Sequence, residues 1–367
     1  MRNKQFLILQ AIAIILVVVG HLGGIQFLSL DEKFPIYSYH MALFAFISGY
    51  FFKAENAKNI PLFIWNKTKR LIFPFFGWNL IYGIIYVLLT KFGVIDYATT
   101  HNAPAIITFD TFFVQAWQHS GQYLFNVATW FVIALFVTHI FYVLIRCIYD
   151  LLKLKKEWTL QIFFLFIGVV AVYLDKIQIG IPSNMLPIMR ACFFLPFYQF
   201  GYYYKSHLEK KDTLHNGWYF LILLIVQIDL FTRFTGNLGY YLYGFSFNEN
   251  VFLPFITSLV GILFWLRVSK NIYNFVGSNK LIEYIGNNTW SIMVHHLFVA
   301  FLINWLLSTL VRSFDHAAFY STVVWYRCIS LPNWIYCLLA VLLPLLWQYY
   351  FDKWKKSIQL CVKKFII

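Results

Sequence analysis

Ten long stretches that contain almost no Asp, Glu, Lys or Arg limit what this chain can fold into. A helix that crosses a bilayer needs roughly 20 predominantly apolar residues, and most of these stretches are of that order. Only 12% of the residues are charged and 60% are hydrophobic, whereas soluble domains average about 25% charged residues. A single soluble core therefore cannot bury the apolar side chains. The stretches are Gln5–Leu30, Phe34–Phe52, Leu71–Thr90, Thr111–Ile145, Trp158–Leu174, Ile177–Tyr204 (interrupted only by Arg190), Thr213–Ile228, Asn250–Leu266, Tyr284–Val311 and Cys328–Tyr350.

This pattern predicts an all-α, polytopic transmembrane helical bundle of about ten spanning helices, organised as a single domain over residues 1–367. Cytoplasmic segments of membrane proteins are enriched in Lys and Arg, and this bias sets the orientation. With the N-terminus inside, the inner segments hold most of the 29 Lys and Arg residues. We therefore expect both termini in the cytoplasm and the chain in a bacterial-type plasma (inner) membrane. The outer segments hold only Lys33, Lys91, Lys176, Arg312 and Arg327.

Several other kinds of site are disfavoured by the sequence. The net charge of +14 suits nucleic-acid binding, but the basic residues form short clusters between apolar stretches, as in membrane proteins. The five cysteines show no ligand spacing, so neither a disulfide framework nor a metal site is predicted. The first apolar stretch is too long for a signal peptide, so we expect it to be retained. The longest outer loop, residues 94–110, contains His101, and the pattern assigns this loop no role.

Polar or ionisable residues stand inside or at the ends of several stretches, where their cost favours a functional or paired role. His21 lies roughly 24 Å along the first helix at 1.5 Å per residue, in the outer half of the bilayer. His40 stands at a similar depth on the returning helix, so the two imidazoles are expected to be neighbours. Arg190 and Asp229 lie near the outer ends of their stretches, and His296 enters from the inner side.

Each of these residues also has a structural interpretation. A lone membrane histidine often forms an interhelical hydrogen bond, which applies to His21 and still more to His40 near the interface. Asp229 stands four residues before Arg233, the spacing of a local helical ion pair. Arg190 needs a carboxylate, a set of carbonyl groups or an anionic ligand, and the sequence does not choose among them.

A basic cluster, Lys67, Lys69 and Arg70, precedes the third stretch on the predicted inner side. Its simplest role is that of a topological anchor. As a group, these residues could instead bind the phosphates of a cytoplasmic cofactor, because cations at a helix N-terminus add to the positive end of the helix dipole.

Several segments, taken in order along most of the chain, resemble the membrane acyltransferase-3 family. Residues 195–201, Leu-Pro-Phe-Tyr-Gln-Phe-Gly, are most similar to the subgroup of fucose acetylases and exopolysaccharide-modifying enzymes. The segments that carry the resemblance are Val-Val-Val-Gly-His at residues 17–21, residues 39–52, Lys67–Arg70 before Pro74, Thr129-Trp130-Phe131, Arg190 with residues 193–202, Tyr284-Ile285-Gly286 and Ser291–His296.

The resemblance implies ten spans, cytoplasmic acyl-CoA as the donor and O-acylation of a cell-surface carbohydrate. The family's essential first-span histidine matches His21, and its second-span histidine matches His40. A recurrent arginine matches Arg190, and a late-span histidine matches His296. The family's basic pair is usually Arg-x-x-Arg, whereas residues 67–70 read Lys-Thr-Lys-Arg, which keeps the charge and loses one bidentate fork.

These observations favour an integral membrane O-acyltransferase that moves an acyl group, most simply acetyl from acetyl-CoA, to a hydroxyl of a polysaccharide or lipid-linked sugar. In this hypothesis His21 is the general base, His40 orients it or assists proton transfer, and Arg190 stabilises the oxyanion. The donor is held by the basic cluster and no metal takes part. Weaker candidates for substrate contact or proton relay are His296, Trp130 and Asp229.

Three alternatives remain open at the level of sequence. Direct transfer competes with a covalent acyl-histidine intermediate. A transporter or flippase of a glycan or small solute would also use intramembrane His and Arg residues, in proton coupling. A structural subunit of a polysaccharide synthase is the third alternative. The sequence identifies neither the sugar, the acyl group, the side of transfer nor the oligomeric state.

Overall fold

The computed structural model describes residues 3–23, 30–96, 106–119, 122–177, 180–235, 237–248, 250–277 and 279–365. Residues 97–105 of the long outer loop, with His101, lie outside this part of the chain. The described secondary structure is helical, apart from one isolated antiparallel bridge between Tyr241 and Ser246. The predicted all-α fold is confirmed.

The longer helices of the described chain are numbered here in chain order. They are α1 (Lys4–Leu22), α2 (His40–Tyr50), α3 (Ile60–Lys91), α4 (Trp130–Leu151), α5 (Glu157–Lys176), α6 (Leu186–Tyr203), α7 (Asn216–Arg233), α8 (Leu253–Val276), α9 (Lys280–Asn287), α10 (Thr289–Leu310) and α11 (Asn333–Phe365).

Seven helices of the described residues are long and apolar enough to cross a membrane, namely α1, α3, α4, α5, α8, α10 and α11. The chain is thus a multi-pass membrane protein. The other three predicted spans also form helices, but each departs from a simple span. Helix α2 has 11 residues, because the start of its stretch forms a 3-10 turn after Pro35. Helix α6 carries Arg190 and Pro196, and α7 ends in Asp229 and Arg233. The count of ten stays a prediction.

Side-chain caps fix where several helices begin. The Asn3 carboxamide accepts a hydrogen bond from the Phe6 N–H at the start of α1. Asn59 does the same for Leu62 at the start of α3, where Pro61 occupies one of the first helical positions. These caps satisfy backbone donors that have no partner within the helix.

Helices α2 and α6 cross at very short range through two glycines. A Cβ on Gly49 would overlap the backbone carbonyl of Tyr198, and a Cβ on Gly201 would overlap that of Phe46. Small residues at a helix crossing let two backbones approach closely inside a membrane. Helix α6 also packs against α4 and α5, and most of its side chains are buried, so it forms the centre of one half of the bundle.

Helix α1 is the centre of the other half. It contacts α2, α8, α9, α10 and α11, and Gly286 of α9 lets the two backbones meet at Leu7. The last turn of α1 ends at Gly23, whose φ of 137° few other residues adopt. His21 lies in that last turn, so the packing of five helices determines its position.

Candidate active site

Two cavities extend into the bundle, one from each end of α1. The larger has a volume of about 970 Å³ and is lined by Gln10 and Ile14. The smaller has a volume of about 380 Å³ and is lined by Ile14 and His21. On α2 the order is reversed, since His40 lines the smaller cavity and Ser48 the larger. The two helices are therefore antiparallel, as predicted, and each passes from one cavity to the other.

The mouth of the larger cavity is polar and carries positive charge. Lys53, Glu55 and Asn59, from the segment between α2 and α3, are exposed at its edge. From α3, the half-buried Lys67 and the exposed Arg70 also line this cavity. Three cations and one carboxylate give the described lining a net positive charge, which suits an anionic ligand.

The predicted basic cluster divides between two faces of α3. Lys67 and Arg70 both line the larger cavity, whereas Lys69 is not part of its lining and lies 4.9 Å from the centre of the Trp65 ring. A spacing of three residues puts Lys67 and Arg70 on one face of the helix. The helix is locally π-helical over Thr68–Ile72, and such π segments recur at functional sites.

His139 is a residue of this site that was not among those predicted from the sequence. The Lys67 ammonium donates to His139 Nε2 at 3.1 Å, and His139 Nδ1 lies 2.9 Å from the Tyr198 hydroxyl. An ammonium group only donates, so Nε2 accepts and Nδ1 carries the proton that it donates to Tyr198. His139 interrupts an apolar stretch as His21 does, and that signal was sufficient to find it.

His21 lines the smaller cavity and is half-buried. Its ring centre lies 5.3 Å from that of His296 and 5.8 Å from that of Trp325. Within the described part of the chain, no side chain or backbone group forms a hydrogen bond with the His21 ring. An imidazole of this kind keeps a nitrogen lone pair for a ligand in the cavity.

His40 and His296 are held in a defined tautomer by backbone carbonyls. His40 Nδ1 donates to the carbonyl of Ile36 at 2.8 Å, and His296 Nδ1 donates to those of Ile292 and Met293 at 3.0 and 2.9 Å. Because a carbonyl only accepts, each Nδ1 carries the proton and each Nε2 presents a lone pair. The buried Nε2 of His296 has no hydrogen-bond partner among the described residues.

Arg190 is almost fully buried, and its contacts are with backbone carbonyls. It donates to Leu242 and Gln118 at 3.2 Å each, and to Tyr243. Its guanidinium lies 5.0 Å from the centre of the Trp130 ring. These contacts correspond to the carbonyl set among the three predicted alternatives. Trp130 and the Tyr240–Tyr243 segment line the smaller cavity, so Arg190 fixes part of the cavity wall from behind.

Arg327 is a second arginine at this end of the bundle, and its position in the sequence indicated only an outer-loop residue. It donates to the carbonyl of His21 at 2.9 Å and to that of Val324 at 2.7 Å. The last carbonyls of a helix lack partners within it, so Arg327 ties the end of α1 to the loop before α11. Burial lowers the pKa of Arg327 to about 10, although the nearby Tyr336 opposes the change.

Asp229 lies apart from both cavities. It forms an ion pair of 2.7 Å with Arg233, and both side chains are largely exposed. This is the local pair that the spacing allowed. His295, next to His296 in sequence, is bonded instead to the Tyr82 hydroxyl at 2.6 Å and packs against Trp78.

The lining of the smaller cavity is mainly aromatic and carries no described Asp, Glu, Lys or Arg. The described chain also holds no group of three or more His, Cys, Asp or Glu side chains arranged for a metal ion. The smaller cavity therefore combines histidine lone pairs with an aromatic wall, and the larger cavity supplies the cations.

Comparison with protein families gives a match over nearly the whole sequence. A family model described as an acyltransferase domain, that of the acyltransferase-3 family, matches residues 4–353. No curated protein and no solved structure matches the chain. Since the family match covers nearly the whole sequence and the chain has seven candidate membrane spans among its described residues, this protein belongs to the acyltransferase-3 family of multi-pass membrane acyltransferases.

Proposed function

We propose that the protein is an O-acyltransferase that moves an acyl group, most simply acetyl, from acyl-CoA to a hydroxyl of a cell-surface or lipid-linked carbohydrate. One observation carries the proposal. The cavity that contains the ring of His21, which has no hydrogen-bond partner among the described residues, shares lining residues with the cation-lined cavity at the other end of the bundle. A long, anionic donor can then reach from the cations to the imidazole.

The donor binds in the larger cavity, with its phosphates at Lys53, Lys67 and Arg70. Charge-assisted hydrogen bonds from Lys and Arg to phosphate are among the stronger polar contacts in proteins. His139 holds the Lys67 ammonium in the cavity wall. Lys69 points elsewhere and serves as an anchor. The pantetheine arm then extends along α1 toward His21.

In the transfer step, the acceptor hydroxyl oxygen attacks the thioester carbonyl carbon while a ring nitrogen of His21 takes the hydroxyl proton. The carbon–sulfur bond breaks, and the thiolate leaves as CoA after taking up a proton. A positioned general base of this kind contributes typically 10²–10⁴-fold to the rate. His296 and His40 present lone pairs through which the proton can leave His21.

The acceptor occupies the smaller cavity. Tyr37, Tyr241 and Trp325 are exposed at its mouth and Trp130 is buried in its wall. Aromatic side chains with a polar tip suit a ligand that has both apolar and hydroxyl-bearing faces, as sugars have. Arg190 acts as a positioning residue for this wall. The alternative role predicted from the sequence, as the oxyanion donor, requires that Arg190 release a carbonyl when substrate binds.

The proposal includes an orientation in the membrane. The chain spans a plasma (inner) membrane ten times with both termini in the cytoplasm, so the larger cavity faces the cytoplasmic donor. The segment at its mouth contains Lys53 and Lys58, as expected of an inner loop.

Replacement of His21 with Ala tests the function. In inside-out vesicles of the native membrane given acetyl-CoA labelled in the acetyl group, the wild-type protein should transfer label to the glycan fraction. The His21→Ala variant should lose transfer by 10²-fold or more, because the general base is gone. His316→Ala, which removes an exposed histidine outside both cavities, is the matched control.

The outcome also separates the rival classes. Label in the glycan at wild-type rate with His21→Ala, at equal protein abundance, would remove His21 from catalysis. If the wild-type protein transfers no label at all, a transporter or an assembly subunit becomes the better description. Burst kinetics with a labelled protein intermediate would indicate the covalent acyl-histidine route.

A further inference from the structure

We propose that four side chains, Ile14, Phe44, Phe131 and Met293, form an acyl-selecting ring between the two cavities, which passes a short uncharged acyl group and rejects long or charged ones. The inference rests on the proposed function, since it assumes that the acyl group travels from the larger cavity to His21. It adds the chemical class of the acyl group and the residues that determine it.

The ring is defined by membership of both cavities. Among the described residues, Ile14, Phe44, Phe131 and Met293 line the larger and the smaller cavity alike. Each comes from a different helix, respectively α1, α2, α4 and α10. These four side chains therefore lie where the two cavities adjoin, on the route that the proposed transfer requires.

The ring is rigid on one side and adaptable on the other. Phe131 is buried and packs edge-on against Phe194 at 5.4 Å between ring centres, and Phe44 lies 5.6 Å from Phe131. Ile14 is also buried, and a β-branched side chain in a helix has essentially one rotamer. Met293 is only half-buried and has a flexible, unbranched side chain. The width of the passage therefore depends most on Met293.

The charge distribution explains why the ring rejects a charged acyl group. Lys67 and Arg70 lie on the donor side of the ring, and the described lining of the smaller cavity contains no Lys or Arg. A succinyl group leads with its carboxylate as it enters the smaller cavity. That carboxylate would lose water and move away from Lys67 and Arg70, while Arg190 and Arg327 are already engaged by backbone carbonyls. Burial of an unpaired charge is strongly unfavourable.

Limited space explains why the ring rejects a long acyl group. Ile14 and His21 are seven residues apart on α1, about 10 Å at 1.5 Å per residue. The thioester carbon must reach the level of His21 while the arm still fills the ring. Both the acyl tail and the acceptor must then fit in a cavity of about 380 Å³. Apolar pockets discriminate by about 10- to 200-fold for each methylene that fits badly.

Substitution of Met293 tests the inference. Inside-out vesicles are given acetyl-, butyryl-, hexanoyl- or succinyl-CoA, each labelled in the acyl group, and label in the glycan is measured. The wild-type protein should prefer acetyl over butyryl by about tenfold or more. Met293→Ala should reduce that preference by about tenfold, because it widens the passage. Succinyl should stay a poor donor in both proteins.

One control and one further variant accompany Met293→Ala. Met185→Ala removes an exposed methionine that lines neither cavity and should leave the acetyl preference unchanged. Phe44→Leu puts a smaller side chain at a different position of the ring, so it also widens the passage. It serves as an independent variant if Met293→Ala is not produced in the membrane. It should shift the preference in the same direction.

The possible outcomes separate this inference from the proposed function. An unchanged acetyl-to-butyryl ratio in variants that still transfer acetyl would overturn the ring and leave the enzyme intact. Efficient transfer of succinyl by the wild-type protein would do the same. Failure of every acyl-CoA to label the glycan with the wild-type protein would instead overturn the proposed function.

Discussion

Three of the site's histidines, His21, His40 and His296, lie near the smaller cavity, and they differ in whether a backbone carbonyl holds the ring. His40 and His296 each donate through Nδ1 to the carbonyl four residues earlier in the chain, so a carbonyl rather than a carboxylate sets the tautomer. The ring of His21 has neither kind of partner among the described residues and is held by contact with His296 and Trp325. A base held by packing alone can turn between an acceptor and a neighbouring imidazole.

His139→Phe should weaken donor binding while leaving the transfer step nearly unchanged. The substitution removes the acceptor that holds the Lys67 ammonium in the cavity wall. A hydrogen bond to a charged group contributes about 1.5–3 kcal/mol, so KM for acetyl-CoA should rise roughly tenfold or more. Steady-state kinetics in inside-out vesicles measure this.

Tyr198→Phe supplies the control for that prediction. It removes the hydroxyl on the other side of the same imidazole and leaves the bond to Lys67 in place, so KM should change less. A fall in kcat with an unchanged KM for His139→Phe would argue that His139 takes part in the chemistry rather than in donor binding.

At the level of single residues, part of the candidate site could be predicted from the sequence. Polarity inside apolar stretches identified His21, His40 and His296, and the same criterion was sufficient for His139. The spacing of Lys67 and Arg70 was consistent with a shared face. The contacts of Arg190 and Arg327 could not be predicted, because their carbonyl acceptors are distant in sequence and only the fold brings them together.

At the level of helices, charge patterning located every long element but not its length. Helix α3 begins well before its apolar stretch, at Ile60, because Asn59 caps it and the basic cluster continues the helix. Helix α2 is shorter than its stretch, since residues 36–38 form a 3-10 turn. Hydropathy records the absence of charge, whereas caps and turns determine where a helix begins.

Gly201→Ala should destabilise the bundle because the added Cβ would overlap the backbone of Phe46 at the α2–α6 crossing. Overpacking of a close-packed interface typically costs 1–3 kcal/mol. The expected result is faster thermal inactivation of the detergent-solubilised protein. Thermal inactivation is measured as the loss of acetyl transfer with time at elevated temperature.

Gly77→Ala is the matched helical control. Gly77 has no atom within 4 Å of an added Cβ, and alanine favours a helix over glycine by about 1 kcal/mol. This variant should be as stable as the wild-type protein or more so. Equal losses for both variants would show that the crossing tolerates a wider separation than the two glycines indicate.

For the molecule as a whole, the proposed function puts the two substrates at opposite ends of α1. In that proposal the cation-lined cavity takes the donor, and the cavity lined by Trp130 and Tyr241 takes the acceptor. Acetyl transfer is therefore expected in sealed inside-out vesicles, whose outer medium contacts the cytoplasmic face, and not in sealed right-side-out vesicles until they are permeabilised. Transfer of label from external acetyl-CoA in intact right-side-out vesicles would contradict the orientation.

Two cavities that enter a membrane protein from opposite ends could join into a path through which ions leak across the membrane. Where the two cavities adjoin, the side chains of Ile14, Phe44, Phe131 and Met293 offer water and ions no charged group and no hydrogen-bond donor. Narrow apolar passages stay dry and block ion flow by dewetting. The same four side chains that admit a thioester would thus prevent ions from leaking across the membrane. During each turnover, the arm of the donor would fill the ring and block the passage in their place.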